Sequence, residues 1–325
     1  MKTTIQSIFE LAIDMGKKHD PRWKKELERY MKDCKNEYDL LSKEEKKYYN
    51  TEHLKHPYHD STIYHGNPNI KVKKIIVWID VEWPEILLVH EYNKTAKKPI
   101  DLIVWHHPES SALIGISKLQ KDIAPFVWAN TWVPLNLTEK IEAPRVWEVE
   151  QRFSPLNHHR AIPFAKMLDI PYMWFHTPAD NCVHTYLEKL VEKNKKNLTY
   201  LEDIIEILLK EPEMKYSKKL GSGPAIWNGD KKSRAGKIVV TGITWWTESS
   251  KDIYAEYAKA WVGTILEMHM SADHLAEAKK HHLNVIMTDH MASDSLGMNL
   301  ILDEVEKLWV EILDFSWFTR FSRNT

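Results

Sequence analysis

The stretch Asp101-Leu-Ile-Val-Trp-His-His-Pro108 joins an apolar run to two adjacent histidines and stops at a proline. The largely continuous apolar run over 100–105 predicts a short strand covered on both faces, as in a sheet flanked by helices. Neighbouring residues on an extended strand point to opposite faces. His106 and His107 can therefore share one site most easily if the strand has ended, which Pro108 suggests.

The same pattern recurs outward along the chain. Residues 72–80 read as a strand that ends in Asp80, and 170–175 as a strand that ends at His176. Further strands are predicted over 237–241, 264–268 and 284–288, the last running into Asp289 and His290. Helices are predicted over 161–169, 253–261, 274–281 and, as an amphipathic closing element, 298–313. Interleaved strands and helices predict an α/β fold with mixed or mostly parallel sheets flanked by helices. Residues 1–57 read as a charged, helical N-terminal extension, with Ile5, Ile8, Phe9, Leu11 and Ala12 on one face and a break at Pro21. Ser42, with Glu45 three residues on, has the spacing of a capping box. The α/β part would then cover 58–325, in two lobes of about 58–192 and 193–325.

Composition narrows the classes of function. Lys and Arg number 45 against 46 Asp and Glu, a net charge of −1, so nothing draws the whole chain to nucleic acid. The apolar runs at 75–79 and 102–105 are strand-sized, too short to span a bilayer. Cys34 and Cys182 are the only cysteines, which predicts free thiols in a reducing cytoplasm. With two thiols, a metal would have to be held mainly by His and carboxylates. The cluster Gly221-Ser222-Gly223-Pro224 lacks the spacing of a phosphate-binding loop and reads as a turn. No G-x-S-x-G elbow is present.

Chemistry concentrates at the strand ends. His106, His107, His176 and His290 each follow a predicted strand, and in parallel sheets the carboxyl ends form the ligand-binding edge. Asp180 and Asp294 each stand four residues after a histidine, a spacing that shares one helix face. Imidazole with carboxylate is a ligand set for zinc, manganese or iron. Asp80 ends a strand at the same edge and suits a supporting role. His269, Asp273 and the segment Thr244-Trp245-Trp246-Thr247-Glu248 follow strands and rank lower. The pairs His158-His159 and His281-His282 lie in polar surroundings and read as exposed.

These residues together resemble the NIF-three-like family (NGG-one interacting factor three-like, also labelled homologues of type 2 GTP cyclohydrolase I). Asp101–Pro108 looks like the family's double-histidine signature, and Asp60-Ser-Thr-Ile-Tyr-His-Gly66, loosely, like its opening segment. His176-Thr-Pro-Ala-Asp180 is similar to its His-Thr-x-x-Asp motif. Asn284-Val-Ile-Met-Thr-Asp-His290, with Asp294 and Gly297, is similar to its closing Gly-His-x-x-x-Glu motif. The resemblance spans about 58–310. It implies a dinuclear metal centre with two divalent ions (Zn, Fe or Mn) and a toroidal homo-oligomer, often a hexamer. By matching position, the implied metal ligands are His106, His107, Asp180, His290 and Asp294. Asp294 stands where the family has Glu, and Asp289 where it has Gly. The N-terminal helices and the stretch 109–160 are atypical.

The expected function is that of a metal-dependent hydrolase acting on a nucleotide or a small phosphorylated or cyclic compound. His176 or Asp80 would orient a ligand or relay a proton. The alternative is a non-catalytic metal- or cofactor-binding or adaptor protein using the same ligands. A scaffold with buried histidines and no metal is the third reading.

Overall fold

The computed structural model describes residues 3–156, 159–244 and 247–324. The chain opens with α1 (Ile5–Lys18) and α2 (Lys24–Leu40), which part at Pro21. Two 3-10 turns, Glu45–Tyr48 and Thr51–Leu54, lead to β1 (Ser61–His65), β2 (Lys74–Trp78), α3 (Trp83–Thr95) and β3 (Leu102–Trp105). Next come α4 (Ser110–Ile114), α5 (Ile116–Ala129), α6 (Leu135–Phe153), α7 (Ile162–Met167), β4 (Tyr172–Phe175) and α8 (Thr177–Asn194). The remainder runs α9 (Leu201–Leu208), α10 (Pro212–Lys219), β5 (Ala225–Asn228), β6 (Lys237–Val240), α11 (Ile253–Lys259) and β7 (Val262–Glu267). It closes with α12 (Ala272–Lys280), β8 (Asn284–Met287), α13 (His290–Glu306) and β9 (Glu311–Asp314). No helix among the described residues is long and apolar enough to cross a membrane.

Two sheets form, in the orders β1-β4-β3-β2-β9 and β5-β8-β7-β6. Each has one antiparallel edge, β1 on β4 and β5 on β8, and is otherwise parallel. The first sheet shows why its strands read as unbroken apolar runs. Ile75, Val77, Leu102, Val104, Met173 and Phe175 face a core built with α1 and α13. The alternate residues Ile76, Trp78, Ile103, Trp105, Tyr172 and Trp174 face a second core built with α3 and α7. Both faces are dry, so no polar alternation appears. The second sheet is likewise covered, by α5, α11 and α12 on one side and by α8, α9 and α13 on the other.

The predicted capping box forms, with Ser42 N–H donating to Glu45 (2.8 Å) and Glu45 N–H to Ser42 Oγ (3.3 Å). It heads a 3-10 turn rather than an α-helix. The closing helix differs from expectation. It begins at His290, eight residues earlier than predicted, and stops at Glu306. Residues 311–314 instead add β9 to the first sheet beside β2. Trp309, at φ 64°, turns the chain between them.

Helices α8 and α13 lie side by side and are shared by two cores. Ala179 and Cys182 of α8, and Met298, Ile301 and Leu302 of α13, pack towards the first sheet. Val183 and Leu187 of α8, and Ala292 and Leu296 of α13, pack towards the second. Gly297 sets their closeness: a Cβ there would stand 2.5 Å from the carbonyl oxygen of Ala179. We expect Gly297→Ala to destabilise the protein. The gain of about 1 kcal/mol in helix propensity opposes an overpacking cost of about 1–3 kcal/mol against rigid backbone. Urea denaturation, with an expected fall in the midpoint, checks the sign.

Candidate metal centre

The site grows from strand ends. After β3 the chain curls: the N–H groups of His106 and His107 both donate to the Ile79 carbonyl, at 3.2 and 3.1 Å. Pro108 follows, and both imidazoles reach one site. After β4, His176 leads into α8, which carries Asp180 in its first turn. After β8, Asp289 leads into α13, which carries His290 and Asp294. The α8–α13 contact at Gly297 brings the two carboxylates to a common point.

The resulting distances have a particular length. His106 Nε2 lies 3.3 Å from Asp180 Oδ1 and 3.6 Å from Asp294 Oδ1. His107 Nε2 and His290 Nε2 lie 3.3 and 3.4 Å from Asp294 Oδ2. His176 Nε2 lies 3.6 Å from Asp180 Oδ2. Two ligands each about 2.0–2.2 Å from one ion at tetrahedral angles stand about 3.3–3.6 Å apart. Three groups have ligand atoms mutually within 4.8 Å: His106, His107 and His176; His107, His290 and Asp294; and His106, Asp180 and Asp294.

Asp294 faces the histidines with both oxygens, Oδ1 towards His106 and Oδ2 towards His107 and His290. Its two oxygens therefore face different histidines. Asp180, Asp294 and His106 are fully buried. Both oxygens of each carboxylate, and both ring nitrogens of His106, find no hydrogen-bond partner among the described residues. Buried charge of this kind is costly unless it is compensated. A cation would compensate it, and the residues fit one.

Two further carboxylates orient the histidines. Asp80 Oδ1 lies 2.8 Å from His107 Nδ1, and Asp60 Oδ2 lies 2.8 Å from His176 Nδ1. Each imidazole thus donates Nδ1–H to a carboxylate and turns Nε2 into the site, the usual support of a metal-bound histidine. Asp60 also accepts from the N–H and hydroxyl of Thr177, at 3.1 and 2.6 Å. Burial opposes ionisation of Asp60, but these bonds hold its pKa below the ordinary range. Asp80 is shifted the same way by His107. Spacing does not single out Asp60, because 116 residues separate it from His176. The pairing of Ser61 with Phe175 in the antiparallel β1–β4 ladder brings them together.

The remaining candidates separate cleanly. His269 follows β7 and stands edge-on to His290, 5.3 Å between ring centres. Burial, then His290, lowers its pKa to about 4, so it is neutral. Asp273 is an exposed residue of α12 that faces Lys251 at 4.0 Å. His281 pairs with Glu277 on the surface (3.1 Å). Cys34 and Cys182 are buried and free. Trp245, Trp246 and His158 lie outside the described residues. The 221–224 turn is clamped by Asp289, whose Oδ2 accepts from Gly223 N–H (2.8 Å) and from the Ser222 hydroxyl.

Comparison with solved structures decides the fold. The chain superposes on a NIF3 superfamily protein from Sphaerobacter thermophilus with a TM-score of 0.75, covering 98% of this chain and 100% of that one, at 19% identity. The two chains share one fold. Looser similarity extends to reduced HcgD from Methanocaldococcus jannaschii (TM-score 0.49, 14% identity, 78% and 87% of the two chains). It extends also to TTHA1606 from Thermus thermophilus (TM-score 0.45, 14% identity, 80% and 90%). No family model and no curated protein matches the chain by sequence.

Two outcomes follow from the geometry. Asp60→Asn and Asp80→Asn should each weaken metal binding about 10–100-fold, measured by chelator competition, without unfolding the protein. The pH dependence has a definite sign in the metal-free protein. Burial disfavours the His106 imidazolium, but Asp294 and Asp180 outweigh it and raise its pKa from 6.5 to about 10. The stability this group contributes is present below pH 6.5 and is lost as pH rises towards 10. Metal should displace that proton, so the loss with rising pH should vanish on loading; thermal melts of both forms from about pH 6.5 to about pH 10 test this.

Proposed function

We propose that the chain holds two divalent cations that share Asp294, with His106 and Asp180 completing the inner position and His107 and His290 the outer one. His176 stands behind the inner position, beside Asp180. The observation that carries this reading is the set of four buried carboxylate oxygens without hydrogen bonds, each within 3.3–3.6 Å of an imidazole nitrogen.

We infer further that the protein is a metal-dependent hydrolase of a nucleotide or a small phosphorylated or cyclic compound. When bound, a pair of divalent cations supplies Lewis-acid polarisation and a water acidified to near-neutral pKa. The chain's own residues distinguish the two positions. His106, Asp180 and Asp294 are sealed from solvent, whereas the side chain of His290 is 37% exposed. Catalytic sites keep an open position and structural ones close. The His290 side is the open one and would receive substrate. Asp80 and Asp60 hold the His107 and His176 rings through Nδ1 and so turn their Nε2 atoms towards the site. Neutral His269, beside His290, is placed to accept a proton on the same side.

A second reading, a protein that holds metal without turnover, is favoured by the sealed inner half. The experiment is metal analysis with a phosphodiesterase assay on bis(p-nitrophenyl) phosphate. Asp294→Ala should cost both ions, and His290→Ala only the outer one. Turnover by the unmodified protein should disappear in both variants. Trace metal in protein grown in replete medium would sink the metal reading. Full metal with no turnover on phosphate mono- and diesters would favour the non-catalytic one.

A further inference from the structure

The parallel strands of the second sheet run towards the metal centre, and the edge they start from is a different kind of surface. Strands β6, β7 and β8 begin there side by side, with Lys237 opposite Val262 and Thr264 opposite Asn284. Further segments are tied to the same edge. Ala235 N–H donates to the Thr199 carbonyl (2.9 Å), and Asn284 Nδ2 to the Arg234 carbonyl (3.0 Å). Lys237 Nζ donates to the carbonyls of Thr131 and Ala260, at 2.7 and 3.3 Å.

Two tryptophans project from this edge. Trp132 and Trp261 are 83% and 87% exposed. Lys237 links them: its Nζ lies 5.8 Å from the centre of the Trp132 ring and bonds the carbonyl just before Trp261. Both have positive φ, 81° and 64°, a region that favours glycine and strains a bulky residue. Each follows the end of a helix, α5 or α11, and precedes a buried valine, Val133 or Val262. Glycine is the usual left-handed residue after a helix. The valines secure these turns, whereas the indoles neither pack in the core nor suit the backbone. Rings this exposed have little protein around them and stand out as tips.

The same edge is basic. Segments 193–196, 231–237, 259–261 and 279–282 hold ten Lys and Arg. Glu192, Glu202, Asp203, Asp230, Glu256 and Glu277 flank them, which leaves an excess of four positive charges in a chain of net charge −1. Helices α8, α11 and α12 end here, and lysine suits a helix C-terminus. That cause does not reach Lys231, Lys232 and Arg234, which lie in the exposed loop between β5 and β6.

Projecting indoles among lysines match the interfacial zone of an anionic bilayer. Tryptophan settles at headgroup level, where its ring is in apolar surroundings and its N–H stays wet. Anionic headgroups attract each Lys or Arg held near them. No segment has to span, because a protein surface can lie on a bilayer. A nucleic-acid strand needs aromatic faces laid along a groove for its bases to stack on, and isolated tips do not provide that. We propose that the starting edge of β6, β7 and β8 docks on an anionic lipid bilayer, with Trp132 and Trp261 inserted at headgroup level.

The test is co-sedimentation of the full-length protein with vesicles at about 0.1 M salt. Vesicles of phosphatidylcholine with about one-third phosphatidylserine should bind it, and vesicles of phosphatidylcholine alone should not. Trp132→Gly and Trp261→Gly should each weaken binding about 10-fold. Glycine suits both backbone positions, so the melting temperature should not fall in either variant. Lys231→Ala combined with Lys279→Ala should weaken binding about 30-fold. Trp147→Ala should leave it unchanged, because Trp147 is 62% exposed but lies about three turns along α6. No binding to the anionic vesicles would overturn the proposal. So would binding that keeps its strength in both glycine variants, or that Trp147→Ala weakens equally, since charge or any exposed indole would then suffice. Tighter binding to a single-stranded oligonucleotide, lost in the two glycine variants, would overturn it in favour of nucleic acid.

Discussion

The contact between α8 and α13 is what the rest of the site depends on. Both helices are buried between two sheets, and the missing side chain of Gly297 lets α13 approach the Ala179 carbonyl. Asp180 follows Ala179 directly, and Asp294 lies one turn before Gly297. The closest point of helix packing is therefore also the place where two carboxylates are forced together out of water. Apolar packing on both sides holds this arrangement against its electrostatic cost. That cost falls on the metal-free state, in which His106 keeps a proton to offset the two acids. A divalent ion would remove the conflict, and folding and metal binding would then be linked through one helix contact.

The sheets contribute direction. Parallel strands β2, β3 and β4 end at one edge and deliver Asp80, the histidine pair and His176 there. Strand β1 runs the other way, so its beginning lies at that edge and presents Asp60. The second sheet adds His269 from β7 and, through α13, His290 and Asp294. The imidazoles of His106 and His176 are buried, that of His290 is partly open, and the two acids on the buried helices complete the cluster. The order from protected to open follows from depth in the two-sheet stack rather than from any one loop.

Much of this is legible in the sequence because the strands are short, apolar and end on polar residues that have no reason to be buried. His106, His107, Asp180, His290 and Asp294 are marked by that rule and by the motif order, and the fold brings them together. What is not legible has identifiable causes. Helix α13 is buried nearly all round, so its sequence lacks an apolar stripe before 298, where the closing helix is predicted to begin. Strand β9 has an exposed–intermediate pattern, because it is an edge strand beside β2, and merges by eye with the helix before it. The α5–α6 hairpin holds internal prolines at Pro125 and Pro144, which argue locally against the helices that tertiary packing nonetheless supports. Asp60 depends on an antiparallel pairing between distant segments, which no local spacing encodes.

The two departures from the motif pattern that the sequence resembles, Asp289 and Asp294, lie on one stretch of chain. Asp289 has φ 84°, a backbone conformation that favours glycine. Its carboxylate offsets the strain: Oδ1 accepts from Ala292 N–H at 2.9 Å and caps α13, while Oδ2 ties down the 221–224 turn. The start of α13 is thereby fixed, and with it the distance of residue 294 from the strand ends. Asp294 is one methylene shorter than Glu, yet both its oxygens already stand within 3.3–3.6 Å of histidine nitrogens. A longer side chain at this position would have to fold back in a space with no exposed surface. In this chain the helix itself carries residue 294 up to the histidines, and the short carboxylate is long enough to meet them.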